Sequence, residues 1–279
     1  MAVSARRPTL AHLGAGLAAL LAVGPPATGQ PVVAPTVAAA SGAAGYLSPG
    51  HVPDVAPAIG PPPSANSGTQ SGDVSTYQAT RALQGGPRWA LATRDAVYGA
   101  DAMLQDFSCA LGVRLTSANA PALRTLLSRV GLDDAAAAAR AKKVFRRPRP
   151  FVDHDGPICV AKDEALVRSY SYPSGHSTFS WTVGLALAEV APDRAAEILG
   201  RARAYGESRV VCGVHYESDV QAGRVAASTV FSALQAEPEF QRDLAMARSQ
   251  LAALRSAGGS APDAQDCRVE ADAVAHPVW

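Results

Sequence analysis

Apolar residues recur at intervals of three and four along most of the chain, the period that gathers them on one face of a helix. Leu123, Leu126, Leu127 and Val130 follow Pro121, with Asn119 in the N-cap position, and Gly131 marks a stop. Asp133-Asp134 then opens a second, alanine-rich helix that must end before Pro148 and Pro150. Pro87 opens another, with Trp89, Leu91 and Val97. Further helices are expected over 177–190, 193–211, 218–235 and 238–255, the last with Phe240, Leu244, Leu251 and Leu254 on one side. Alternating β-branched runs are almost absent, and no segment repeats. The pattern predicts an all-α fold, a single compact helical domain over 73–257.

The ends of the chain read differently. Arg6 and Arg7 precede an uncharged apolar stretch at 13–23, and the small residues Ala27-Thr28-Gly29 follow, the order of a cleaved signal peptide over 1–29. That places the mature protein in the periplasm or outside the cell. Residues 25–63 hold ten of the 21 prolines, so 30–72 is expected as an extended Pro/Ala/Gly-rich arm and not a packed unit. Residues 258–279 are expected as a C-terminal tail.

Composition narrows the function. The 279 residues are 48% hydrophobic and 18% charged, with a formal net charge of +1 and mean hydropathy of +0.04. That balance is globular, lacks the basic excess of a nucleic-acid binder, and leaves no stretch of roughly 18 apolar residues for a membrane span. Four cysteines, Cys109, Cys159, Cys212 and Cys267, form no CxxC pair, which argues against structural zinc; in an oxidising compartment they allow three pairings, with buried thiols as the alternative. Lysine is scarce, with Lys142, Lys143 and Lys162 against 22 arginines.

Three segments concentrate chemistry: Lys142 with Arg149-Pro150, then Pro173-Ser174-Gly175-His176, then Ser208-Arg209 with His215 and Asp219. Each alone is bland: a solvated basic helix end, a turn, a surface ion pair at i, i+4. Together they assemble what a phosphate ester needs. The transition state of phosphoryl transfer spreads negative charge over three oxygens, so catalysis is mostly positioning and preorganised positive charge. Arg149 and Arg209 offer planar forks, Lys142 a point charge, Ser174 a hydroxyl, and Gly175 and His176 amides at a helix start. His215, with Asp219 one helical turn on to hold one ring nitrogen, keeps the other free for nucleophilic attack. The other histidines of the expected mature chain (His51, His154, His276) and the scattered carboxylates of 153–164 read as solvated side chains.

In order and spacing these residues form KX6RP–PSGH–SRX5HX3D, and this resembles the signature of the type 2 phosphatidic acid phosphatase superfamily, which includes bacterial acid phosphatases and vanadium haloperoxidases. Within it the chain most resembles the class A bacterial non-specific acid phosphatases, through GGPRW (85–89), FSCAL (107–111), RPRPFV (147–152) and GESRVVCGVHYESDV (206–220) as well. The resemblance implies hydrolysis of phosphate monoesters through a phosphohistidine on His215, with His176 as general acid, Asp219 as orienter, and Lys142, Arg149, Ser174, Gly175 and Arg209 holding the phosphate. It also favours the pairings Cys159–Cys212 and Cys109–Cys267. No cofactor or metal is implied, and the expected partners are phosphate monoesters and inorganic phosphate, with neither nucleic acid nor a membrane span; a homo-oligomer is left open. Tyr170 and Ser177 stand where the class A pattern has glycine and threonine; the chemistry-bearing residues are intact, while subclass and substrate range are left open, Tyr170 being a candidate for the pocket mouth. A haloperoxidase using the same pocket for vanadate, and a non-catalytic phosphate binder, are the alternative readings.

Overall fold

Helix follows helix through residues 44–279, the part of the chain that the computed structural model describes, with no strand among them. The expected signal peptide and the first part of the expected arm lie outside the described residues. In chain order the helices are α1 (Ala56–Ile59), α2 (Gly68–Thr80), α3 (Pro87–Arg94), α4 (Ala100–Asp106), α5 (Ser108–Leu111), α6 (Pro121–Phe145), α7 (Pro150–Asp153), α8 (Glu164–Arg168), α9 (Gly175–Val190), α10 (Ala195–Val211), α11 (Glu217–Leu234), α12 (Pro238–Ser256) and α13 (Ala264–Ala275). Helix α9 is central, packed by α6, α10, α11 and α12. Its apolar content explains the position: Phe179, Val183, Ala186, Leu187 and Val190 all enter the main core with Leu123, Leu126, Leu127 and Val130 of α6 and Phe240, Leu244 and Leu251 of α12.

The structure departs from the sequence reading at several places. Gly131 does not stop a helix: α6 runs unbroken from Pro121 to Phe145. A Cβ on Gly131 would stand 3.0 Å from the Phe179 ring, so glycine here lets α6 approach α9. Asn119 is not the N-cap, since Ala120 holds that position; the Asn119 side chain instead closes a turn by accepting from the Thr116 amide at 2.7 Å.

Asp133 and Asp134 likewise do not open a helix but are buried in its middle. Asp133 accepts the amides of Tyr46 at 2.8 Å and Leu47 at 3.2 Å. This is why the described end of the expected arm is packed: with its amides satisfied by Asp133, it can bury Tyr46, Leu47, Val52 and Val55 in the core.

The segment expected as a tail also folds. Asp263 caps α13 through the amides of Gln265 and Asp266. The Cys109–Cys267 disulfide ties that helix to α5, and Arg94 of α3 binds Asp266 and Glu270 at 2.7 and 2.6 Å. The second disulfide joins Cys159 to Cys212, three residues before His215. No helix among the described residues is long and apolar enough to cross a membrane.

Candidate active site

The site forms where three chain segments meet: the C-terminal end of α6 with its continuation to Arg149, the N-terminus of α9, and the loop between α10 and α11. The all-α packing brings all eight sequence-predicted site residues to this junction. Ser174, Arg149, Arg209, His215 and Asp219 are buried, and Lys142, Gly175 and His176 are half-buried.

His215 lies in the loop before α11 and not on a helix face, so the i, i+4 spacing works differently from the sequence expectation. Asp219 is the third residue of α11 and reaches back to accept the Tyr216 amide at 2.9 Å, as a carboxylate in a capping box does. The same oxygen, Oδ2, stands 3.2 Å from His215 Nδ1. On the other side of the ring, Arg149 Nη1 stands 3.1 Å from His215 Nε2 while donating to the Val214 carbonyl at 2.7 Å. A guanidinium only donates, so Nε2 carries the lone pair and Nδ1 the proton given to Asp219. Burial, and then the charges of Arg149, Lys142, Arg209 and Arg147, hold His215 well below the ordinary histidine range and therefore neutral.

His176, the second residue of α9, has Nε2 3.2 Å from the Ala96 carbonyl, which fixes the proton there and leaves Nδ1 free. The Tyr98 ring packs edge-on against it at 5.0 Å. Burial and the Arg209 charge, with smaller effects from His215 and Arg149, also hold His176 well below its ordinary range.

The cations form a cluster with little to neutralise it. Lys142 Nζ is held by the carbonyls of Tyr170 and Ser171. Burial and Arg149 lower its pKa to about 7; burial and Arg209 lower that of Arg149 to about 10. Arg209, in the last turn of α10, has Nε and Nη1 buried without a hydrogen-bond partner among the described residues. A buried guanidinium with empty donors costs several kcal/mol unless an anion supplies the acceptors. Ser174 caps α9: its hydroxyl oxygen accepts from the Ser177 amide at 3.3 Å and the Ser177 hydroxyl at 2.9 Å, so its own proton is left for a further acceptor. Gly175 opens the helix with no neighbour closer than 3.9 Å to where a Cβ would sit. Tyr170 is at the surface, joined to the cluster by its carbonyl.

Two features escaped the sequence reading. Ser208 turns away from the cations: its hydroxyl donates to Asp95 at 2.6 Å, and Arg88 donates to it at 2.8 Å. Arg147 places Nη1 2.6 Å from Asp219 Oδ1 and Nη2 2.8 Å from Asp73 Oδ2. Its position inside the basic run KKVFRRPR was the only signal, and nothing there separates it from its exposed neighbour Arg146.

A family model described as the PAP2 superfamily matches residues 121–236, the stretch that carries all three motifs. The chain is 44% identical over 216 residues to an acid phosphatase of Zymomonas mobilis, covering 77% of this chain and 81% of that protein. It is 37% identical over 196 residues to a non-specific acid phosphatase of Salmonella typhimurium, with 68% and 77% covered. With a non-specific acid phosphatase of Providencia stuartii it shares 35% over 212 residues, with 75% and 86% covered.

Proposed function

The chain belongs to the PAP2 superfamily and to its bacterial acid phosphatases, and on that premise we propose that it hydrolyses phosphate monoesters through a phosphohistidine on His215. The observation that carries this reading is the buried Arg209 guanidinium with empty donors beside a histidine whose lone pair is turned toward Arg149. A phosphate dianion supplies the acceptors that Arg209 lacks, takes a further hydrogen bond from the Ser174 hydroxyl, and meets the positive end of α9.

With phosphorus so held, His215 Nε2 attacks and the bond to the leaving oxygen breaks. The Nδ1 proton stays on the ring, which becomes cationic and is stabilised by Asp219. The leaving oxygen takes a proton from His176. His176 is neutral while no anion is bound, and the incoming dianion favours its protonated form. Neutral again, His176 accepts a proton from the water that attacks phosphohistidine; the bond between phosphorus and His215 Nε2 breaks, its electron pair returns to the ring, which is neutral once more, and phosphate leaves. The two disulfides, Cys109–Cys267 and Cys159–Cys212, support a site of action outside the reducing cytoplasm, in keeping with an export signal at 1–29.

The test is covalent. Enzyme mixed rapidly with a phosphate monoester, denatured in alkali and mapped by mass spectrometry, is expected to carry phosphate on His215. A His215→Ala variant should carry none and turn over negligibly. Wild-type turnover with no labelled His215 peptide at any mixing time overturns the mechanism.

A further inference from the structure

Resting on the phosphohistidine reading, we propose that Arg147 is a positioning residue for the reaction. A buried Asp73–Arg147–Asp219 bridge fixes the carboxylate that holds His215 ready for attack. Arg147 occupies an unspecified position of the first motif and touches no group that meets phosphate.

The geometry divides Asp219 in two. Oδ2 serves the Tyr216 amide and His215 Nδ1, while Oδ1 is taken by Arg147 at 2.6 Å, with Ser171 Oγ at 3.5 Å. A carboxylate held at both oxygens cannot rotate, so the acceptor facing His215 keeps its direction. Arg147 is itself fixed through both terminal nitrogens. It donates to Asp73 at 2.8 Å, Gln70 at 2.6 Å and Ser218 at 2.7 Å, and its guanidinium lies 4.2 Å over the Tyr216 ring. Asp73, from α2, also accepts the Ser218 amide at 2.9 Å, so the brace reaches from α2 to the first turn of α11.

Charge makes the brace functional. Asp219 is fully buried, and burial pushes its carboxyl up; Arg147 is the strongest opposing influence, ahead of the Tyr216 amide and Lys142. The other groups facing it are His215, Arg149, Tyr172 and Tyr216, with Asp73 beyond Arg147. Without Arg147, Asp219 protonates more readily, and a protonated carboxyl no longer requires the Nδ1 proton of His215. The ring can then place its proton on Nε2, where no lone pair remains for phosphorus. Asp73 acts in the opposite sense, because it shares the charge of Arg147 and adds a second negative group nearby.

The full-length protein is tested with Arg147→Gln, Arg147→Lys and Asp73→Asn, following kcat, KM, inhibition by inorganic phosphate and the pH profile. Arg147→Gln should lose about a hundredfold in kcat, as displaced catalytic groups do, with KM and phosphate inhibition changed by less than about threefold. Its acid limb should move to higher pH. Arg147→Lys should recover part of the loss, and Asp73→Asn should move the acid limb to lower pH. In an Asp219→Asn background, Arg147→Gln should cost little more, since both act through one carboxylate. Acid limbs that stay in place, or move together while thermal stability falls, make Arg147 a structural brace and overturn the proposal. Should Arg147→Gln not fold, Arg147→Lys and Asp73→Asn still carry the opposed shifts. A wild type that forms no phosphohistidine defeats the mechanism itself; a wild type and an Arg147→Gln variant that form it equally fast defeat the role of Arg147 alone.

Discussion

Gly223 of α11 lies against the Ser174 carbonyl so closely that a Cβ at position 223 would stand 2.8 Å from that oxygen, with Ser177 Cβ at 2.9 Å. Ser174 in turn donates its amide to the Asp219 carbonyl at 2.9 Å. The N-terminus of α9 and the first turns of α11 are thus one surface, and the hydroxyl of Ser174, His176 and Asp219 are placed by a contact that has no room for a methyl group.

Gly223→Ala should therefore act on activity as well as stability. Overpacking of this kind costs about 1–3 kcal/mol, and the backbone that must yield belongs to Ser174. A drop in melting temperature accompanied by a loss of kcat/KM on phosphate monoesters is expected. A variant that is less stable but fully active per folded molecule would show that α9 can retreat without moving the site.

Arg149→Lys tests the fork. One guanidinium serves Val214, His215 Nε2 and Ser169, and an ammonium cannot reach all three in one plane. Activity should fall by about a hundredfold, the cost of misplaced catalytic groups. Nitrogen NMR of the His215 ring should show the Nδ1–H tautomer losing its exclusive population. An unchanged tautomer with unchanged rate would remove Arg149 from the control of the ring.

His176→Asn tests the acid role proposed for His176 apart from the nucleophilic role proposed for His215. A leaving group of low pKa departs without a proton, whereas an alkoxide needs one, and general acid catalysis contributes roughly 10²–10⁴-fold. The variant should lose far more rate on an alkyl phosphate than on p-nitrophenyl phosphate. Equal losses on both would take the acid role from His176.

Anion binding should draw protons from solution. His176 is held neutral by burial and Arg209, and Lys142 is lowered to about 7 by burial and Arg149. A bound dianion reverses the Coulomb part of both effects and raises both affinities for protons. Sulfate, whose own charge is fixed between pH 5 and 9, isolates the effect. Calorimetry in buffers of different ionisation enthalpy should report proton uptake at pH 6 that disappears in His176→Gln. At pH 8 the uptake should disappear in Lys142→Arg, because arginine is already charged there. Uptake that survives both substitutions would locate the titrating group elsewhere.

The helical class and the three motifs were legible in the sequence because both are local or nearly so: a period of three and four survives in any register, and Lys142, Arg149, His176, Arg209 and His215 are chemically distinct side chains at fixed spacings. What lies between elements was not. Gly131 looks like a stop until Phe179 is seen to need its space. Asp133 and Asp134 look like a helix start because carboxylates suit one, but Asp133 accepts the amides of Tyr46 and Leu47, 87 and 86 residues away, and one oxygen of Asp134 accepts the hydroxyl of Thr182, 48 away. The residues expected as a tail gain their helix from Cys109 and Arg94, partners far off in the chain.

The site divides the same way. The sequence by itself determined which side chains are present for the proposed binding of and attack on phosphate, since that depends on residue type alone. Only the tertiary structure decided which ring nitrogen of His215 is free, that Ser208 faces Asp95, and that Arg147 and not Arg146 holds Asp219. Those outcomes depend on direction and burial: Arg146 and Arg147 carry the same charge, but only one points into a space where Asp73 and Asp219 are already out of water.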